Sequence, residues 1–208
     1  SISLVGADVL LNGSTLRAPG GQINVAGVWS AGEIPADLGT LGSAEFRSAF
    51  PQAGQIEFWN GSQLDPSGDG GGRIVIRGGN LMVDNSRITA NTTGASDGQG
   101  IDVAITDNVS LMNGGQITSV STLGLGAGGN ININAGGAIL LDGGGVIDEN
   151  TGYPSTQIST ATGDPFEGGG SGKGGDITIE ADSLELVNSA QISSASFGAG
   201  DAGRIEIN

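Results

Sequence analysis

Four aromatic side chains are the first candidates for binding chemistry, since aromatic residues make up only 4% of the chain and these four are grouped. Trp29, Phe46, Phe50 and Trp59 lie within or beside residues 28–53. Flat rings of this kind can stack on sugars. An inserted segment also needs apolar side chains to fasten it to the body of a protein, and the same rings could do that instead. We therefore predict these four residues as candidate ligand contacts, with anchoring as the alternative.

Charged residues offer a second chemistry, the binding or cleavage of an acidic polysaccharide. Arg73, Arg77 and Arg87 are close in sequence, and Arg77 with Asp84 could meet an acidic sugar. However, the chain has no histidine, no cysteine and a single lysine, Lys173. General-base catalysis at neutral pH therefore loses its usual residue. Scattered surface charge is the favoured interpretation, and we predict no catalytic residue.

Carboxylates beside glycine suggest a possible metal site. Asp69, Asp97, Asp176 and Asp201 stand in such positions, as in calcium-binding β-rolls. The tandem nonapeptide of those proteins is not present, and calcium prefers six to eight oxygen ligands. Solvated turn carboxylates are favoured, although calcium at these corners stays open. We predict neither a metal nor a cofactor, because the usual ligands of zinc, copper and iron are missing.

A series of hydroxyl side chains recurs at one position of the repeat described below. The side chains predicted to point outward are Thr89, Thr118, Ser159 and Ser193, and those predicted to point inward are Ser119, Thr160 and Ser194. Small β-forming residues suit a narrow corner and bond across strands. An ice-binding array would require a flat face of paired threonines, whereas serine replaces threonine freely here. A structural hydroxyl stack is therefore the favoured interpretation.

These residues belong to a repeating unit of short apolar strands. The unit is clearest at 72–90, 101–119 and 175–194, and its first strands begin about 27 to 30 residues apart. Polar residues alternate with apolar ones inside each strand, which is the period of a half-buried β-strand. Glycine runs precede the first strands and indicate one tight corner: 68–72, 124–129, 168–175 and 198–203. A phosphate-binding loop is disfavoured because the glycine–lysine motif of such loops is missing.

The pattern predicts an all-β fold, a single-stranded right-handed parallel β-helix with three strands per turn. Strands too short to form hairpins within a unit must pair with the equivalent strands of the next turn. We predict one domain over 1–208, with about six turns and the start of a seventh. Longer spacings between strands predict insertions at 28–53 and 143–175, the second including Tyr153 and Phe166.

Charge and hydropathy exclude several partners. The net charge is −15, which repels nucleic acids and anionic membrane surfaces. No apolar stretch approaches the roughly 18 residues of a membrane span, so membrane insertion is not expected. Ser1 begins directly in patterned sequence, which leads us to expect a fragment of a longer protein.

Three segments resemble filamentous haemagglutinin-type exoproteins of two-partner secretion systems, especially their glycine-rich cyanobacterial members. These segments are Leu-Leu-Asn-Gly-Ser-Thr-Leu-Arg-Ala-Pro-Gly-Gly-Gln-Ile at 10–23, Gly-Asp-Ile-Thr-Ile at 175–179 and Asn-Ser-Ala-Gln-Ile-Ser at 188–193. The resemblance spans nearly the whole chain, and its motifs are structural repeats. It implies export by an outer-membrane transporter to the cell surface or the exterior. The Asn-Pro-Asn-type motif of the family's secretion domain is missing, so transporter recognition is not expected within this segment.

We therefore expect a non-catalytic structural and adhesive segment that contacts glycans or neighbouring and host cells. The alternative is a carbohydrate-active β-helix enzyme, a polysaccharide lyase or hydrolase. Two carboxylates, or a carboxylate and an arginine, in a cleft formed by the insertions would favour the enzyme. A coil without such a cleft would favour the adhesive segment.

Overall fold

The computed structural model describes residues 1–122, 125–147, 155–163 and 170–208. Within these ranges the chain forms a parallel β-helix with three strands per turn. All strand pairs between turns are parallel, for example Ile101 with Ile131 and Val109 with Ile139. Six complete turns are followed by the first strand of a seventh, which confirms the fold predicted from the repeat.

Each strand of a turn belongs to a different sheet. Sheet A contains the first strands, β1 (Ile2–Gly6), β4 (Gln22–Gly27), β7 (Arg73–Gly78), β10 (Gly100–Ile105), β13 (Ile131–Ala135), β16 (Ile177–Glu180) and β19 (Ile205–Ile207). Sheet B contains the second strands, β2 (Val9–Asn12), β5 (Gln55–Trp59), β8 (Asn80–Asp84), β11 (Val109–Met112), β14 (Ala138–Asp142) and β17 (Ser183–Val187). Sheet C contains the third strands, β3 (Thr15–Arg17), β6 (Gln63–Asp65), β9 (Arg87–Thr89), β12 (Gln116–Ser121), β15 (Gln157–Thr162) and β18 (Gln191–Ser196).

The core consists of apolar columns that run along the coil axis. Eight residues of sheet A form one interior stack, in which they are paired in register and no more than 2% exposed: Ile74, Ile76, Ile101, Val103, Ile131, Ile133, Ile177 and Ile179. Alternate residues of a strand point to opposite faces, so every turn repeats the same inward positions. The stack therefore follows from the recurrence of apolar residues at equivalent places in the repeating unit.

Buried hydroxyls continue these columns on sheet C. Ser119 and Thr160 are fully buried, as predicted for inward side chains. The Ser119 hydroxyl donates to the carbonyl oxygen of Ala90 in the preceding turn at 3.1 Å. On the outer side, the hydroxyls of Thr118 and Thr89 lie 3.4 Å apart. These inward hydroxyls therefore bond to backbone carbonyl groups.

Two corners of the coil depend on unusual backbone. At the corner before sheet A, a side chain on Gly175 would overlap the carbonyl oxygen of Gly129, so only glycine fits. At the corner between sheets B and C, asparagines adopt positive φ of 55°, 44°, 51° and 51° at Asn60, Asn85, Asn113 and Asn188. Asparagine tolerates this left-handed conformation better than most residues. The glycine corner was predicted from the sequence, whereas the asparagine corner was not.

Longer connections interrupt the coil in two ranges of the chain. The first leaves sheet A after β4 and returns at β5, and it contains a 3₁₀ helix at Leu38–Thr40 and helix α1 at Ser43–Ala49. The helix was not expected from the sequence. In the second range, 143–175, strand β15 divides the extra residues between two connections, and Tyr153 and Phe166 lie outside the described residues. Neither of the two described helices is long and apolar enough to cross a membrane.

Candidate functional site

The first insertion packs on the outer face of sheet A. Ala26 and Val75 point outward from β4 and β7, yet both are fully buried. Leu38 of the insertion contacts them in a small apolar cluster, which Ile34 and Leu41 extend. Residues 28–53 therefore cover the part of this face that carries Arg73 and Arg77.

Arg77 fastens the insertion to the coil. Its side chain is only 1% exposed, and its two terminal nitrogens donate to the two carboxylate oxygens of Asp102, each at 3.0 Å. Its Nε donates to the carbonyl oxygen of Leu41 in the insertion at 2.9 Å. Such a bidentate pair satisfies a buried guanidinium that would otherwise be costly to desolvate. Arg77 thus links β7, β10 and the insertion.

Two further arginines extend this connection. Arg47 of α1 donates to Oδ1 of Asn134 at 2.6 Å and to the carbonyl oxygen of Ile105 at 3.1 Å. Arg73 lies 3.7 Å from a carboxylate oxygen of Asp102. The insertion therefore reaches as far as the fifth turn. Sequence reasoning missed Arg47 and Asp102, because a helix and a partner one turn away leave no local signal.

Asp37 shapes the start of the 3₁₀ helix in this insertion. Its Oδ1 accepts hydrogen bonds from Nε2 of Gln22 at 2.7 Å and from the backbone N–H of Gly39 at 2.9 Å. These bonds, the one from Gln22 first, lower the pKa of the Asp37 carboxyl below its ordinary value. Asp37 therefore acts as a helix cap bound to the coil.

Arg77 and Asp84, considered as one alternative for meeting an acidic sugar, lie on different sheets. Asp84 lies in β8 of sheet B, where its Oδ1 accepts a hydrogen bond from Nδ2 of Asn113 at 3.1 Å. Arg77 lies in sheet A, and Arg87 lies in β9 of sheet C. Proximity in sequence misleads here, because each turn of the coil distributes neighbouring residues over three faces.

The four candidate aromatic residues do not form one exposed platform. Phe46 and Phe50 are 0% and 1% exposed, and their ring centroids lie 5.4 Å apart at an interplanar angle of 41°. Buried rings cannot stack on a sugar, so these two side chains anchor α1. This is the alternative role considered for them from the sequence.

The two tryptophans keep exposed surface at different places. Trp29 is 61% exposed, and its Nε1 donates to Oδ1 of Asp8 at 3.0 Å. The same oxygen accepts the backbone N–H of Gln55, the first residue of β5. Trp59 is half-buried at the other end of β5, and its Nε1 donates to Glu57 at 3.1 Å. Gln55 and Trp59 are four residue steps apart on β5, which corresponds to roughly 13 Å along the strand.

The carboxylates considered for calcium bind backbone amides of the next turn. Oδ1 of Asp69 accepts the N–H of Ala95 at 2.9 Å, and Oδ1 of Asp97 accepts that of Ala127 at 2.8 Å. Asp176 accepts the N–H of Arg204 at 2.8 Å. This bond, and next the one from the Lys173 ammonium, lowers the pKa of Asp176. These three carboxylates connect successive turns of the coil.

In the described ranges, no group of three or more carboxylates is placed to hold a metal ion. Asp201, the fourth residue considered for calcium, accepts the N–H of Gly174 through its backbone oxygen at 2.8 Å.

A shallow groove lies beside α1 on the outer face of sheet A. Its lining includes Ser43, Asp102, Asn132, Asn134 and Glu180. The Asp102 carboxylate is bound by Arg77, and Glu180 accepts a hydrogen bond from Asn134. This cleft beside the first insertion brings together two carboxylates, as sought for an enzyme. Both carboxylates are occupied by positioning contacts. A neighbouring cleft on the same face brings Arg73 together with Asp97 and Asp102.

Comparison with known proteins leaves the function to be argued from these residues. No protein-family model, curated protein or solved structure matches the chain significantly.

Proposed function

We propose that this chain is a non-catalytic structural and adhesive segment of a secreted or surface-displayed bacterial exoprotein of the filamentous haemagglutinin type. The observation that carries the proposal is the use of its polar side chains. Many side chains with the chemistry of active sites join one turn to the next or join the insertion to the coil, as Asp69, Asp97, Asp176 and the Arg77–Asp102 pair do. A coil whose polar side chains join its turns in this way is suited to a structural role.

The same pattern recurs along the corner between sheets A and B. Oδ1 of Asn80 accepts the N–H of Asn108 at 3.2 Å, and Oδ1 of Asn108 accepts that of Ala138 at 2.9 Å. A repeat protein gains its stability from such contacts between neighbouring units. Each added turn therefore stabilises the previous one, and the result is a stiff spacer.

The insertion provides the adhesive surface in this proposal. Its docking on sheet A through Arg77, Arg47 and the buried phenylalanines gives it a fixed position. Trp29 lies at its edge with most of its indole exposed. An exposed, immobilised tryptophan is a low-entropy contact for a glycan on a host or neighbouring cell.

Export by an outer-membrane transporter fits the contact pattern of the coil. Most contacts join adjacent turns, so the chain can fold turn by turn as it emerges. No cysteine is present, so folding needs no disulfide exchange. The transporter and the location outside the outer membrane rest on the resemblance of the repeats.

A carbohydrate-active enzyme is the second candidate, favoured by the groove with Asp102 and Glu180 beside α1. The test is incubation with acidic and neutral polysaccharides and measurement of new reducing or unsaturated ends, alongside a glycan-binding screen. We expect binding without turnover, and weaker binding by Trp29→Ala than by the matched variant Trp59→Ala. Sustained cleavage that is lost in Glu180→Gln would overturn the proposal in favour of the enzyme.

A further inference from the structure

A groove at the corner between sheets B and C is separate from the insertion on sheet A. It encloses about 330 Å³ and runs along the coil over several turns. Gln63, Arg87 and Gln116 begin β6, β9 and β12, and they are paired in register. Their side chains therefore share one face at the spacing of neighbouring strands, about 4.8 Å. The groove has a guanidinium between two amides.

Arg87 differs from every other cation of the chain in its surroundings. The other six cationic side chains each contact a carboxylate or a carbonyl: Arg17, Arg47, Arg73, Arg77, Lys173 and Arg204. The Arg87 side chain is exposed, and in the described part of the chain its guanidinium has neither a hydrogen bond nor an ion pair. In a protein of net charge −15, this arginine is notable for lacking a carboxylate.

The remaining described lining supplies hydrogen-bonding groups and no negative charge. Gln63, Arg87 and Gln116 form a ladder across neighbouring strands, and the rest of the described lining consists of Gly61, Asn85, Asn113, Gly114, Val146 and Ser155. Gln116 donates through Nε2 to the carbonyl oxygen of Ser155 at 3.0 Å, which holds its amide in place and leaves its oxygen to accept. The guanidinium therefore lines the groove beside an amide that is held in place.

We propose that this groove binds a carboxylate-bearing saccharide, with Arg87 pairing its carboxylate and the neighbouring amides binding its hydroxyls. The inference rests on the adhesive part of the proposed function and names a ligand class and a second contact surface for it. A guanidinium holds a carboxylate through two parallel hydrogen bonds. Side-chain amides both donate and accept, which matches hydroxyl groups.

Charge and shape favour this ligand over other anions. One guanidinium matches one singly charged carboxylate, whereas a phosphate or a densely sulfated chain would leave charge uncompensated in an acidic protein. A peptide usually anchors through apolar side chains in a pocket, and Val146 is the only apolar side chain in the described lining. The repeated amides along an open groove suit an extended, hydroxyl-rich chain.

The experiment measures binding of aldotriouronic acid, a trisaccharide with one carboxylate, and of its methyl ester by titration calorimetry. The variants are Arg87→Gln, which continues the ladder of Gln63 and Gln116, and Arg204→Gln, which removes the same charge from an arginine paired with Glu206 on sheet A. We expect the acid to bind the native protein about tenfold more tightly than the ester. Arg87→Gln should lose that difference, Arg204→Gln should keep it, and both should retain the native melting temperature.

Equal binding by Arg87→Gln and the native protein would overturn the inference, as would equal binding of acid and ester, or no binding of the acid at all. Hexaglutamate that binds through Arg87 as tightly as the acid would also overturn it, in favour of an acidic peptide. None of these results affects the proposal that the insertion is an adhesive surface, which the comparison of Trp29→Ala with Trp59→Ala tests separately. Cleavage of aldotriouronic acid would overturn the non-catalytic function while leaving the assignment of this groove intact.

Discussion

In the third turn, Arg77 on the outer face of sheet A and Arg87 on the outer face of sheet C differ in burial and in pairing. Arg77 is covered by the insertion and bound by the Asp102 carboxylate and by three backbone carbonyls. Arg87 is exposed and has no partner within the described residues. A buried charge must be paired to offset the cost of its desolvation, whereas an exposed charge stays hydrated and remains available to a ligand. The same residue type therefore serves the fold on one face and is available for binding on another.

Both faces depend on the shared core, so the largest effect is expected from a charge placed there. Ile131→Asp should lower the free energy of unfolding by about 4 kcal/mol or more, because it places an unpaired carboxylate in a fully buried column. The neighbouring Asn132→Asp, on the exposed side of the same strand, should cost no more than about 0.5 kcal/mol. Urea denaturation measures both. Similar losses in the two variants would contradict the register of the strands.

The arginine comparison itself predicts the next largest effect. Arg77→Ala should cost about 3 kcal/mol, because it leaves Asp102 without its partner and the insertion without a tie to β7. Arg87→Ala should change stability by less than about 0.5 kcal/mol. Hydrogen exchange should show faster exchange in residues 28–53 for Arg77→Ala alone. Equal stability of the two variants would erase the distinction between the faces.

The asparagine corner under the Arg87 groove predicts a smaller effect. Asn113 has a φ of 51°, so Asn113→Ala should cost about 1 kcal/mol. Asn113→Gly should be near neutral, since glycine adopts this conformation freely. Thermal denaturation of the two variants separates backbone strain from the loss of the side-chain bond to Asp84, which both variants lack. An equal loss in both would assign the effect to that bond.

Acid titration should give the smallest effect. Backbone and side-chain hydrogen bonds lower the pKa of Asp176 in the folded chain below its ordinary value of 3.8. The folded state therefore binds this proton less readily than the unfolded chain does, so its stabilising contribution is complete above that value and is lost as the pH falls through the folded pKa. Asp176→Asn should flatten the dependence of melting temperature on pH below 4, and an unchanged profile would exclude this carboxylate as a source.

Those features of the coil that repeat could be predicted from the sequence. The apolar pairs of β7, β10, β13 and β16 predict where each strand lies, which of its residues point inward and how it pairs with the next strand. They do so because each turn of a coil contacts mainly its neighbours. The glycine corner was predictable for the same reason, since Gly129, Gly175 and Gly203 occupy equivalent places in successive units. The position of the first insertion followed from the residues that interrupt this spacing.

Only the tertiary structure decided how the non-repeating residues are used. Arg77 pairs with Asp102, which lies one turn away, and not with nearby Asp84, because the coil sends Asp84 to another sheet. Phe46 and Phe50 are buried because the insertion docks on sheet A, a contact that no period in the sequence encodes. The sequence by itself determined the coil through local periodicity and burial. The partner or solvent that each charged or aromatic side chain meets was decided by contacts between residues distant in the chain.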